Sequence, residues 1–374
     1  MTDVWRIVPY AGPDALARLE PDWHSLLAAM PARGPQHAFE AHRAYVTHLS
    51  RAGEGVWYFA LSDGARTRAI CPLETGDARV LGRSAPALGL AWRQWDMVRD
   101  AICADDEAAS RLLPLLVDHL AALPESPPWL ILDQVLERAA LWRSVEALDP
   151  RIACIDRVGA SAVFDCAVPF EDTLAELPQK MRANLRYARR RFEALPQPRY
   201  RVATGDQAAA AFDEFVALEA SGWKGARGAR GALSFLPDVE AFFRDLVAAA
   251  APDCRVEVHG LYSAGACIAS IVCLRGGSEV IAPKIAYDAR YAGVSPGHLL
   301  HGLMVRHYSD DPAIRAVMTV SNPTWLHSWR PTVVPAHRAY VALTPQSRAA
   351  LPWLRLRLKF GPIFGSWLRR GRRR

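Results

Sequence analysis

The residues best suited to chemistry fall between Glu219 and His298. Only four of the 45 basic residues are lysines, Lys180, Lys224, Lys284 and Lys359. Where arginine is the default, a lysine stands out, because its compact ammonium polarises a carbonyl or holds an acceptor as a point charge. Lys284 lies near the end of an apolar strand pattern, where it either polarises donor or acceptor or simply snorkels from the strand end. Trp223 and Lys224 sit among Gly222, Gly225, Gly228 and Gly231, which suits a mobile loop beside a substrate or a stacked hinge between helices. Downstream, Gly293, Ser295, Pro296 and Gly297 make a small-residue loop that runs into a helical pattern at Leu299, Leu300, Leu303, Met304 and Tyr308. Backbone N–H groups at a helix start, with the positive end of the dipole behind them, form an anion site, so this loop points to a phosphate-bearing ligand. The phosphates would sit on Gly293, Val294, Ser295, Gly297 and His298, and the strand edge at Ile285, Ala286 and Tyr287 offers backbone hydrogen bonds to an amide-bearing chain. His298 and His301 are one turn apart but have no carboxylate at metal spacing, so no metal is expected. There is no GxSxG elbow, Walker loop or Cys-His arrangement, which speaks against covalent nucleophilic catalysis.

These residues need a hairpin and a helix to position them. Ile268–Leu274 and Val280–Tyr287 are rich in β-branched and aromatic residues, and Gly276-Gly277 supplies the positive φ of a tight turn. Around that unit each half of the chain shows a strand, two helices, a run of antiparallel strands, a helix, a strand, a helix and a last strand. In the first half the strands are Val4–Val8, Val56–Leu61, Arg68–Leu73, Trp129–Leu132, Arg151–Ile155 and Ala162–Cys166. The helices are Asp14–Met30, Gln36–Leu49, Glu107–Leu120 and Leu136–Leu148, with an irregular segment around Trp92 and Trp95. In the second half Tyr200–Ala203, Cys254–Tyr262, Ile314–Val320 and His337–Leu343 are strands or short apolar pieces. Gln207–Glu219 and Val239–Ala249 are helices, and Trp325–Trp329 is a short helical piece. The matching order suggests duplication, although no sequence identity links the halves.

Length and composition agree with two cores. The chain has 374 residues, 51% of them hydrophobic, enough for two domains of ordinary size. The expected division is 1–166, 167–345 and a basic aromatic tail at 346–374. Seven cysteines without a CxxC pair read as small core residues in a reducing compartment. No signal region or membrane span is legible, so the expected location is cytoplasmic.

Four segments carry a family resemblance: LysMetArgAlaAsnLeuArgTyrAlaArgArgArgPheGluAlaLeu (Lys180–Leu195), LeuGluAlaSerGlyTrpLysGly (Leu218–Gly225), LysIleAlaTyrAsp (Lys284–Asp288) and SerProGlyHisLeuLeu (Ser295–Leu300). Residues 165–310 resemble the acetyltransferase domain of the CelD/BcsL-like proteins. These belong to the GNAT superfamily and are similar to the tandem-domain FemAB peptidyltransferases. Arg290-x-x-Gly293-x-Ser295 approximates that fold's pyrophosphate-cradling motif, with serine as the last small residue. The resemblance implies an α/β (α+β) fold of tandem GNAT-like domains, with mixed, mainly antiparallel sheets flanked by helices. It also implies acyl transfer to an amine from acyl-CoA or an acyl carrier protein thioester. The family's last strand carries an Asp where this chain has ThrValSerAsnPro at Thr319–Pro323. Direct attack of an amine on a thioester requires proximity, an oxyanion donor and a proton route, for which Glu219 and His298 both stand as bases. Aminoacyl transfer from charged tRNA and a non-catalytic scaffold remain the other readings.

Charge separates body from tail. Nine of the 45 basic residues and none of the 39 acidic ones lie in Gln346–Arg374, which leaves residues 1–345 with 36 basic groups and a net charge of −3. An acidic body argues against specific nucleic-acid binding, although Lys180, Arg182, Arg186, Arg189, Arg190 and Arg191 form a local basic face. In the tail, arginines alternate with Trp353, Leu354, Leu356, Leu358, Phe360, Ile363, Phe364, Trp367 and Leu368, which suits an anionic membrane surface and peripheral attachment at the inner face of the cytoplasmic membrane. Gly361-Pro362 and Gly365 predict two short interfacial pieces there, and a surface-held enzyme would favour a lipid-linked amine as acceptor.

Overall fold

The computed structural model describes residues 5–30, 32–50, 55–91, 99–222, 225 and 231–371, with side chains as far as Phe360. The first half supplies β1 (Arg6–Tyr10), α1 (Ala15–Ala29), α2 (Phe39–His48), β2 (Val56–Ser62), β3 (Thr67–Val80), β4 (Arg83–Leu90), β5 (Ile102–Cys103), α3 (Asp106–Ala121), β6 (Trp129–Leu136), α4 (Ala140–Glu146) and β7 (Ala153–Asp165). The second supplies α5 (Phe170–Glu176), α6 (Gln179–Glu193), β8 (Arg199–Ala203), α7 (Asp206–Ser221), α8 (Pro237–Ala249), β9 (Arg255–Ser263), β10 (Ala266–Gly276), β11 (Glu279–Tyr287), α9 (Pro296–Ser309), β12 (Ala316–Met318), β13 (Thr332–Ala342) and α10 (Pro345–Gly371).

The strands join in one sheet of 13, in the order β1-β2-β3-β4-β6-β13-β7-β12-β11-β10-β9-β8, with β5 on β3. Most pairs are antiparallel, as expected. The parallel ladders are β4 with β6 and β11 with β12. Each joins strands linked by a crossover helix, α3 in the first half and α9 in the second, so the two halves repeat one unit. The two expected sheets are continuous because β13, from the end of the second half, lies between β6 and β7. Ala339 is paired with Leu132 on one side and Ile155 on the other.

Local chemistry accounts for the elements that differ from the sequence reading. The irregular stretch after Leu73 is the rest of β3, a turn and β4. Leu81 and Gly82 both have positive φ, 52° and 85°, the geometry of a two-residue turn whose twist suits a hairpin. Leucine is no turn signal, which hid the hairpin. Trp92 and Trp95 lie outside the described residues. Arg151–Ile155 and Ala162–Cys166 belong to a single strand, β7, whose central Gly159 pairs with Ala336. The helix expected over Leu136–Leu148 is shorter, because Leu136 ends β6. In the β10–β11 turn only Gly277 takes positive φ, 55°, while Gly276 is paired with Glu279 inside the ladder.

Helices cover both faces. Buried side chains of α1, α2, α3, α7 and α8 share one core on one face, and those of α6 and α9 make a second core on the other. In α6, Met181, Ala188 and Phe192 are buried and leave the basic residues outside, as its apolar spacing predicts. Instead of two short pieces, α10 is one helix. Leu351 and Leu354 are buried with Leu358 against them in a third core that includes Trp129 and Tyr340. Their spacing of three and four overrides the period-two pattern at Leu354–Phe360.

Candidate active site

The site begins where two strands part. β11 and β12 pair from Glu279↔Ala316 to Ile281↔Met318, and there β12 ends while β11 continues to Tyr287. The opening is a cleft of about 710 Å³ lined by Ile285, Ala286 and Tyr287 on one side and Ser321, Pro323 and Trp325 on the other. The end of α7 contributes Leu218, Glu219 and Gly222, and the loop entering α9 contributes Ala292, Ser295, Pro296, Gly297 and His298.

The α9 entry has the geometry of an anion cradle. Ser295 sits in the left-handed region at φ 51°, and Pro296 is the first helical residue. The motif's preference for a small or glycine residue at Ser295 follows from that conformation. The first turn closes with Leu299 N–H on the Ser295 carbonyl at 3.1 Å, so the N–H groups of Gly297 and His298 lie ahead of the ladder. A Cβ on Gly297 would stand 3.8 Å from Tyr287 Cδ1 and 3.9 Å from Ile285 Cδ1, on the wall of the cleft. A Cβ on Gly293 would instead meet the Arg191 guanidinium at 3.5 Å, so α6 brings a cation to the loop.

Two residues of the expected cradle turn their side chains away from it. Arg290 is exposed and folds back on Asp288, its Nη2 2.6 Å from Oδ2, and this bond holds the Asp288 carboxyl below its usual range. Val294 is buried in the core with α6 and α9. Both facts are local: a two-residue separation makes the Arg290–Asp288 fork cheap, and Val294 is the apolar residue that anchors the loop.

His298 is held by tertiary structure. The indole N–H of Trp329 donates to His298 Nδ1 at 3.0 Å. An indole nitrogen can only donate, so Nδ1 must carry a lone pair and the neutral ring has its proton on Nε2. Burial lowers the His298 pKa and favours that neutral form. The Trp329 ring lies against Gly302, where an added Cβ would come within 2.8 Å of it, and Trp325 stands edge-on to His298 with centroids 5.4 Å apart. His298 and Ser295 also line a second cleft of about 380 Å³, bordered by Lys180, Asn184 and Leu185 of α6 and by Ser328. The two clefts meet at Ser295 and His298.

Glu219 and Lys284 come together across 65 positions. Both are nearly buried, with Lys284 Nζ 4.0 Å from Glu219 Oε1, and Glu219 Oε2 accepts the Leu233 N–H at 2.9 Å. Glu219 lines the large cleft, and Lys284 meets that wall through Glu219. Trp223 and Lys224 lie outside the described residues. Trp325 and Trp329 had no place in the sequence-based site, because a tryptophan pair four residues apart is a core signal as readily as a site signal. Only their packing on α9 distinguishes the two.

Residues 179–325 match the family model described as an acetyltransferase (GNAT) domain. This segment is a GNAT transferase domain. The whole chain also resembles solved structures. The C-terminal domain of an Agrobacterium fabrum protein described as a lysylphosphatidylglycerol synthetase has TM-score 0.54 and 14% identity, over 90% of this chain and 95% of that one. L-PGS from Bacillus licheniformis gives 0.51 and 15% over 92% and 98%, and FemX gives 0.50 and 11% over 83% and 97%. At such identities the likeness concerns the fold alone. No curated protein matches the sequence. Within the GNAT domain, the matched segment contains α6, the end of α7, the β10–β11 hairpin, the α9 entry and the residues after β12.

Proposed function

We propose that the chain transfers an acyl group from an acyl-CoA or acyl carrier protein thioester to an amine. The observation that carries this reading is the cleft between the parting strands, which ends at the α9 N-terminus beside a fixed His298 N–H. The donor fits the residues present: small side chains and backbone N–H groups at Ser295–His298 with Arg191 alongside suit phosphates, and the walls at Ile285–Tyr287 suit an extended amide-bearing arm. In the transfer, the amine nitrogen bonds the carbonyl carbon, the C–S bond breaks, the sulfur leaves with the electron pair, and one amine proton is released while the thiolate gains one.

His298 serves best as a donor. Its Nε2–H can stabilise the negative charge that grows on the carbonyl oxygen, whereas accepting a proton at Nε2 would require a proton on Nδ1, opposite the Trp329 N–H. Of the two bases considered from sequence, Glu219 suits the role of receiving the amine proton, through water, with Lys284 beside it to hold the carboxylate in place.

A thermal-shift series on the full chain with acetyl-, medium- and long-chain acyl-CoA tests the reading. A ligand at 100 times its Kd stabilises the folded state by about 2.7 kcal/mol, so at least one chain length should raise Tm and be consumed when amines are added. A second reading, aminoacyl transfer from a charged RNA, is favoured by one observation: the small cleft is bordered by Lys180 on the basic helix α6. Turnover that requires charged RNA, with no Tm response to any acyl-CoA, would select it over the first.

A further inference from the structure

We propose that the outward face of α10 docks on an anionic lipid bilayer, a property independent of the reaction above. The helix carries two apolar stripes. Leu351 and Leu354 are 1% and 2% exposed and hold the helix to the sheet. On the opposite side Trp353, Leu356 and Phe360 are 66%, 50% and 38% exposed, and spacings of three and four put them in one line. A helix that already buries one stripe gains nothing in folding from a second, so the outer stripe calls for a partner. The sequence carries the same spacing on at Ile363, Phe364 and Trp367.

Charge selects the partner. Nine basic residues and no acidic one occur from Gln346 to Arg374. Some of this charge is committed to the fold: the Arg355 guanidinium donates to the Ala153 carbonyl at 3.0 Å and to that of Pro150, and Arg357 lies over the Gly82 turn. Lys359 is placed beside the exposed stripe, over the Phe360 ring at 5.6 Å, and five arginines follow in the sequence at 369, 370, 372, 373 and 374. A second copy of the chain would bring the same unopposed positive charge across a two-fold contact. Nucleic acid would satisfy the arginines but leave the line of Trp353, Leu356 and Phe360 without a role. An anionic bilayer satisfies both, because the apolar line enters the headgroup boundary while basic side chains reach the lipid phosphates. Among the described residues no helix is long and apolar enough to cross a membrane, so the contact is with the surface.

Sedimentation of the full chain with vesicles tests this. The protein should partition onto phosphatidylglycerol-containing vesicles, release as salt rises, and ignore pure phosphatidylcholine. Combined Trp353→Glu and Leu356→Glu should weaken partitioning by at least about tenfold at unchanged Tm, since both side chains point away from the core. Truncation after Phe360, which keeps Leu351 and Leu354 in place, should also weaken it. The proposal is overturned if the double variant binds like the parent, if neutral vesicles bind equally well, or if the parent ignores anionic vesicles. A dimer that the double variant dissociates, without vesicle binding, would assign the face to a second copy instead.

Discussion

The two crossover helices occupy equivalent places in the two halves and begin with opposite chemistry. α3 comes after β4 and the short β5 and returns to β6, and α9 comes after β11 and returns to β12. At the start of α3, Asp105 accepts the Ala108 N–H at 2.9 Å, and Asp106 and Glu107 fill the first turn. At the start of α9 stand Ser295, Pro296, Gly297 and His298, with no acidic residue in the first turn. The strands differ in the same sense. In the second half β12 ends at Met318 and leaves the cleft, whereas in the first half β6 runs on to Leu136 and the chain rejoins it at Arg99↔Val135. An N-terminus satisfied by its own carboxylates stabilises a helix but repels phosphate, while one left to glycine and serine is free to hold it. One helix start is thus occupied by carboxylates, and the other is left to small residues.

Acid should expose a further difference between the halves. Burial pushes His42, in the first half, and His259 and His301, in the second, down to about 3. Their folded pKa values are lowered, so between about pH 3 and the ordinary histidine range near 6.5 the unfolded chain binds more protons than the folded one. Stability from these groups is therefore complete above that range and lost as pH falls, at about 4 kcal/mol per pH unit for three protons. Denaturant titrations at stepped pH should show that slope, and His301→Leu should remove about a third of it. An unchanged slope would mean that His301 titrates normally.

At the open helix, His298→Ala should lower kcat about 100- to 1000-fold, the range for removing one oxyanion donor. Trp329→Phe should lower it less while shifting the His298 tautomer in nitrogen-15 spectra. An unshifted tautomer would detach Trp329 from the site.

Gly297→Asp would write the acidic start of α3 into α9. It should weaken donor binding by about 100-fold, near 2.7 kcal/mol, without lowering Tm, because an acidic residue suits a helix start. Gly297→Ala is the steric control, since its Cβ would make only ordinary contacts. Equal calorimetric affinities for the Asp and Ala variants would remove the phosphates from this loop.

The smallest effect belongs to the closed helix. Asp105→Ala should cost about 1 kcal/mol in denaturant unfolding as a lost cap and leave turnover unchanged. A turnover defect would show that the first half takes part in the reaction.

What the sequence determined by itself was local. The β10–β11 hairpin, the small-residue loop from Gly293 to Gly297 and the start of α9 depend on neighbouring residues, through the turn at Gly277, proline at the first helical position and the apolar spacing after it. The buried stripe of α6 is legible for the same reason. Tertiary structure alone decided which distant groups meet. Nothing in the chain around His298 announces Trp329, and nothing around Lys284 announces Glu219; those contacts arise from packing the short helical turn at Thr324–Trp329 and the helix α7 against the rest of the fold, where proximity has no sequence period. The position of β13 between β6 and β7 is of the same kind, since its alternating pattern permits many neighbours. In α10 the pattern permitted a strand-like or a helical reading, and burial of Leu351 and Leu354 in a core built by residues from Val80 to Ala342 selected the helix. Short-range sterics and hydrogen bonding can be read along a chain, but the free energy of burial belongs to surfaces that exist only once the chain has folded.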